Sequence, residues 1–118
     1  MHKVLFYQTP SGNKVVLDFI RSLSHEEKKV VGEDLKAVQI GFPMGLPLCR
    51  PVGDGLYEIR SSLPSKREFR LIFFFDRQRQ CLAVMHALIK KTSKLPKADL
   101  ELARKRRDEA LRKGSQHG

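Results

Sequence analysis

The sequence predicts an α+β fold built on a twisted antiparallel sheet. Three observations carry this expectation. Apolar residues recur at helical spacing twice between residues 15 and 38. Alternating apolar segments then follow one another from residue 55 to residue 89, separated by short polar turns. A proline at position 96 opens a last, strongly basic stretch. The expected order is β-α-α-β-β-β-α, with two early helices on one face of the sheet and a C-terminal helix. A chain of 118 residues with 41% hydrophobic residues makes a single domain, taken as 1–113 with a flexible tail at 114–118.

The first strand is read in Lys3–Gln8, which stops at the turn residues Thr9-Pro10-Ser11-Gly12. Val15, Val16, Phe19, Ile20 and Leu23 form the apolar stripe of a first helix. Ser24 and Glu27 have the spacing of a capping box, so a second helix starts there. Val30, Val31, Leu35 and Val38 give its buried side, and Gly41 ends it. From Gly41 to Asp54 three prolines and three glycines predict one irregular loop. Gly55–Ser61, Glu68–Phe75 and Cys81–Ile89 are then three strands of a meander. Phe69, Leu71, Phe73 and Phe75 share one face of the middle strand, while Arg70, Ile72 and Phe74 share the other. Leu100, Ala103, Ala110 and Leu111 offer the final helix a thin apolar stripe.

Charge narrows the partners. Lys and Arg number 23 against 13 Asp and Glu, a formal net charge of +10. Residues 1–89 carry 13 basic and 9 acidic groups, and residues 90–118 carry 10 and 4. More than half of the excess therefore lies in the last quarter, and a polyanion is the first partner to consider. The longest apolar run, Cys81 to Ile89, is far below the roughly twenty residues of a membrane span. The N-terminus lacks the apolar stretch and cleavage site of a signal peptide, so a cytoplasmic location is expected. Cys49 and Cys81 have no metal or redox spacing and read as reduced thiols. Neither a metal nor an organic cofactor is called for, because no Gly-rich phosphate loop, Cys/His cluster or nucleophile elbow occurs.

Arg60, Arg70, His86 and Lys90 alternate on three neighbouring strands, and a shared parity would bring them to one face. Arginine is permanently charged and fits phosphate bidentately. Histidine titrates near neutrality. Such a group suits metal-free RNA cleavage, in which the ribose 2′-OH attacks its own 3′ phosphate. Cations would stabilise the developing charge, and a proton donor would assist the leaving 5′ oxygen. Each residue also has a plain reading. Arg60 pairs with Glu58 or Glu68 on the surface, His86 is a satisfied core histidine, Lys90-Lys91 marks a strand end, and Phe73-Phe74-Phe75 is core. On the catalytic reading Arg70→Ala abolishes toxicity with little effect on folding. His2, His25 and His117 receive no chemical role.

Taken together, Gly55-Leu56-Tyr57-Glu58-Ile59-Arg60, Arg70-Leu71-Ile72-Phe73-Phe74, His86-Ala87-Leu88-Ile89-Lys90-Lys91-Thr92, Pro96 and Glu101-Leu102-Ala103 resemble the RelE/HigB superfamily of type II toxins, most closely its phage-derived HigB-like branch. The resemblance runs from about Val4 to Lys113 and is strongest over 55–107. It implies a microbial RNase-like fold with helices on one side of the sheet and a basic groove on the other. It implies a toxin that cleaves mRNA on the ribosome and inhibits translation, and a helix-turn-helix, HigA-like antitoxin through which the complex binds operator DNA. By position, it implies catalytic roles for Arg60, Arg70 and Lys90, with His86 in support. Lys66, Arg67, Lys91 and Lys94 are the RNA-binding candidates beside them. Two departures stand out: Glu58 occupies a position that is basic in some members, and the C-terminal segment lacks the tyrosine that others stack on a base. The same superfamily contains ParE-like gyrase inhibitors without a nuclease site. A basic nucleic-acid-binding module without catalysis is the third reading.

Overall fold

Apolar periodicity sets the helical hairpin, α1 (Val15–Ser22) and α2 (His25–Gly41). The computed structural model describes residues 1–117, with side chains as far as Lys113. The expected tail at 114–118 thus lies largely outside the described side chains, and Gly118 lies outside the described residues altogether. The capping box forms at the start of α2. The Ser24 hydroxyl accepts from the Glu27 amide at 3.2 Å, and the Ser24 amide donates to Glu27 Oε1 at 3.1 Å. The other Glu27 oxygen accepts from the Ser65 hydroxyl at 2.8 Å and from Arg67 Nη2 at 2.6 Å. One buried carboxylate therefore ties the helix to a distant turn.

Those donors, Arg67 foremost and then Ser65 and the Ser24 amide, hold the Glu27 pKa at about 2, against an ordinary 4.5. The folded protein binds this proton less readily than the unfolded chain. The stability Glu27 contributes is therefore complete above about 4.5 and lost as pH falls towards about 2. Glu27→Gln is expected to flatten the fall in thermal midpoint over that range, which calorimetry between pH 2 and pH 5 would measure.

The strands are β1 (Lys3–Phe6), β2 (Cys49–Gly53), β3 (Leu56–Ser62), β4 (Glu68–Asp76) and β5 (Cys81–Lys90). They form one sheet in the order β1-β5-β4-β3-β2. A final helix, α3 (Lys97–His117), completes the order β-α-α-β-β-β-β-α. Two expectations need correction. The 41–54 segment is not one loop, because it contains β2, an edge strand antiparallel to β3. Its proline and glycine density hid it. An edge strand tolerates Pro51, whose missing N–H need not serve a second neighbour, and Gly53 sits at φ +98° where the register shifts. Nor is the sheet wholly antiparallel: β1 pairs parallel with β5 at the other edge. The helical hairpin carries the chain from one edge of the sheet to the other.

The first face of the sheet is the main core. Val16, Val31 and Val38 pack there with Ile59, Phe69, Leu71 and Phe73. The second face is not simply a polar surface, as its arginines had suggested. Leu56, Ile72, Phe74, Ala83 and Met85 form a second core beneath Leu100, Ala103 and Ala110. Phe74 is therefore core, and Leu111 is off the stripe, 40% exposed. Cys49 and Cys81 are free thiols, buried in the first and second cores respectively. Burial pushes the Cys49 thiol up to about 11 and the Cys81 thiol upward as well. Both are expected to resist maleimide in the native protein and to react after urea unfolding.

A bulge decides which side of β5 faces which core. The β4 partner changes from His86 at Ile72 to Val84 at Phe73, leaving Met85 as the extra residue. Leu82 and Val84 lie in the first core, and beyond the bulge Ala87 takes over that face. Without the extra residue, strict alternation from Leu82 would turn His86, Leu88 and Lys90 inward. With it, they join the face of Arg60 and Arg70.

Candidate nucleic-acid site at the open end of the sheet

The strand register arranges the second face in rows. Arg50, Glu58, Ile72 and His86 make one row from β2 to β5. Arg60, Arg70 and Leu88 make the next, and Ser62, Glu68 and Lys90 the last. Four basic and two acidic side chains thus gather at the end of the sheet, a formal surplus of two positive charges.

α3 is fixed away from the Arg60 and Lys90 rows. Arg104 Nε and Arg107 Nη2 meet Asp54 Oδ2 at 2.8 and 3.2 Å, and Arg107 Nη1 also donates to the Asp54 carbonyl. Arg106 Nη1 donates to the Met85 carbonyl at 3.0 Å, and its guanidinium lies 4.6 Å from the centre of the Tyr7 ring. The Tyr7 hydroxyl donates to Glu109 at 2.8 Å. Part of the C-terminal basic excess is therefore spent on pinning the helix.

His86 belongs to this clasp. Its Nε2 lies 2.6 Å from Asp99 Oδ1, and Arg106 Nη1 lies 3.4 Å from Nδ1. Because arginine can only donate, Nδ1 accepts and Nε2–H donates to Asp99. Both ring nitrogens are thereby occupied, and Leu88 separates His86 from Lys90 along the strand. Histidine shares the face with the cations, yet its hydrogen bonds anchor α3.

Arg70 is buried, at 1% exposure, and so is Glu58, at 0%. Arg70 Nε stands 3.6 Å from Glu58 Oε2, and Arg50 Nη2 stands 2.9 Å from Glu58 Oε1. These are ion pairs without well-aligned hydrogen bonds, since both Glu58 oxygens and Arg70 Nε lack a hydrogen-bond partner among the described residues. Arg70 Nη1 donates to the Phe69 carbonyl at 3.1 Å and to Glu68 Oε1 at 3.3 Å. The expectation that Arg70→Ala leaves folding intact is therefore withdrawn. Arg60 and Lys90 differ from Arg70: each is half-buried, and neither has an ion-pair or side-chain hydrogen-bond partner among the described residues.

Lys90 is electrostatically unusual. Desolvation first, then the charge of Arg70, lowers its pKa, with Arg60 and Arg50 adding to the effect and Glu58 opposing it. An ammonium in that setting gives up its proton more readily than a free lysine. The charge is also costly to the fold, because the unfolded chain holds this proton up to about 10.5 while the folded chain releases it earlier. Lys90→Met is expected to raise the thermal midpoint at pH 7. That advantage should shrink as pH rises towards 10.5. Calorimetry of the pair across that range checks the sign.

The model of the phage-derived protein Gp49-like family (DUF891) matches residues 18–108, which contain every residue named in these rows. The chain belongs to the Gp49-like family. That family is one of the RelE/HigB type of toxins, so this Gp49-like chain is a member of a toxin family whose members pair with an antitoxin. No curated protein matches the chain. Among the described residues no helix is long and apolar enough to cross a membrane.

Of the residues singled out in the sequence, the fold brings Arg60, Arg70 and Lys90 together and places His86 under α3. Lys66, Lys91 and Lys94 are exposed in the two segments flanking the Glu68–Lys90 row. Arg67 is instead committed to Glu27. Sequence reasoning missed Arg50, which lay in the supposed loop. Its signal was the alternation Cys49, Arg50, Pro51, Val52, too short to outweigh the prolines around it.

Proposed function

We propose that this Gp49-like chain is the toxin of a type II toxin–antitoxin pair and acts as a metal-independent, ribosome-dependent mRNA endoribonuclease. In this reading it is of the HigB-like branch, held inactive in the cytoplasm by a helix-turn-helix antitoxin that carries the complex to its operator. The observation that supports it best is the pair of half-buried cations, Arg60 and Lys90, at the open end of the sheet, neither with a side-chain partner among the described residues. Arg60 binds the scissile phosphate through its planar guanidinium. Lys90, with its lowered pKa, stabilises the developing negative charge and donates a proton to the leaving 5′ oxygen. Arg70 is screened from RNA by its burial. It acts from behind, depressing Lys90 and holding Glu68. Lys66, Lys91 and Lys94 attract the flanking backbone. Among the described residues the carboxylate beside these cations is Glu68, which Arg70 engages, so the 2′-OH gives up its proton to solvent while the ribosome aligns it, and positioning alone contributes several kcal/mol.

Inducible expression with primer extension on a reporter mRNA tests the reading. Cleavage in codon register, only during translation, is expected. One observation favours a second reading. Glu58 takes up Arg50 and Arg70, as in a site that has no phosphate to hold. Growth arrest with DNA-damage signalling and intact mRNA would point to ParE-like gyrase inhibition instead.

A further inference from the structure

A groove of about 390 Å³ is lined by Arg60, one of the two cations without a side-chain partner among the described residues. Leu46, Pro47 and Leu48 form one wall, and Arg60, Ser62 and Glu68 the other. Its size is within the range of small-molecule sites, and its mixture of apolar wall and few polar groups is what such sites have. Glu68 is the unexpected member. A carboxylate repels phosphate, and Arg70 engages one of its two oxygens, so the other is left for some other part of the ligand. Its side chain is 42% exposed, and Arg70 Nη1 fixes Oε1 at 3.3 Å. Oε2 has no hydrogen-bond partner among the described residues.

An ionised carboxylate only accepts hydrogen bonds. Among the four RNA bases, guanine alone presents two adjacent donors on its pairing edge, N1–H and the N2 amino group. Adenine and cytosine set an acceptor next to their amino group, and uracil flanks its single N–H with carbonyls. We propose that this groove is a nucleobase subsite that takes guanine, next to the phosphate bound by Arg60, with Glu68 as the specificity-determining residue. The subsite rests on the nuclease reading for its place in RNA cleavage, but its chemistry can be read without cleavage.

Two measurements test it. Titration of the purified chain with the four nucleoside 3′-monophosphates, followed by amide shifts, should show guanosine binding about tenfold tighter than the others, the scale of one good base contact. Glu68→Gln keeps an oxygen for Arg70 but replaces one acceptor with a donor, and it should erase that preference. Sequencing of the RNA ends made during translation should show guanine enriched at one fixed position beside the cut, and the enrichment lost in Glu68→Gln. Equal affinity for the four nucleotides, or a guanine preference that survives Glu68→Gln, overturns the subsite. Absence of cleavage with guanosine preference intact overturns the nuclease reading and leaves the subsite standing.

Discussion

Arg60→Ala is expected to cut mRNA cleavage during translation about 10²–10³-fold while the protein stays as stable as the wild type. The size is that of removing one preorganised group from a developing oxyanion. The absence of a stability cost follows from its surroundings. Arg60 has no partner among the described residues, so truncation leaves no buried charge behind. It also removes one of the like charges that depress Lys90, so the lysine recovers part of its ordinary pKa. Arg60→Lys should restore little of the loss, because a point charge cannot reproduce bidentate phosphate contact. Cleavage by primer extension and unfolding by urea, measured on the same preparations, check both halves.

Arg70→Ala should behave in the opposite way. Removing it takes one of two cationic partners from Glu58, which is 0% exposed. Breaking a buried pair on one side costs about 3–5 kcal/mol, and the lost volume adds a cavity on the face shared with Ile72 and Leu88. Against a typical stability of about 5–15 kcal/mol, this loss is large enough to lower cellular levels of the protein. A loss of toxicity in Arg70→Ala alone would therefore not identify a phosphate ligand. The double variant Glu58→Gln with Arg70→Met removes both charges, and it should recover most of the stability seen by urea unfolding. An Arg70→Ala midpoint equal to that of the wild type would show that the Glu58–Arg70 pair contributes nothing to the fold.

The contrast between these two arginines also shows what the sequence can and cannot display. Alternation put Arg60 and Arg70 on one face, and they stand directly opposite each other in the sheet. It could not show that one is buried and the other half-exposed, because that depends on place in the sheet: Arg70 is flanked by β3 and β5, whereas Arg60 lies beside the edge strand. The capping box at Ser24 and Glu27 was readable because both partners are local. The continuation of that network to Ser65 and Arg67 was not, since it spans about forty residues of chain. That His86 and Lys90 join the face of Arg60 and Arg70 depends on the bulge at Met85, an insertion that apolar composition on both sides of β5 conceals. Arg50 was lost with its strand, whose proline and glycine are those an edge position permits.

The mechanism proposed above is that the open end of the sheet cuts mRNA on the ribosome. Its most direct test uses purified wild-type and Arg60→Ala protein with a defined mRNA, with and without translating ribosomes, in buffer containing EDTA for the ribosome-free arm and mapped RNA ends in both. Cuts by the wild type only in the translating arm, and none by a folded Arg60→Ala, are expected. Intact mRNA in the translating arm, with a wild-type protein that still arrests growth in cells, would contradict it.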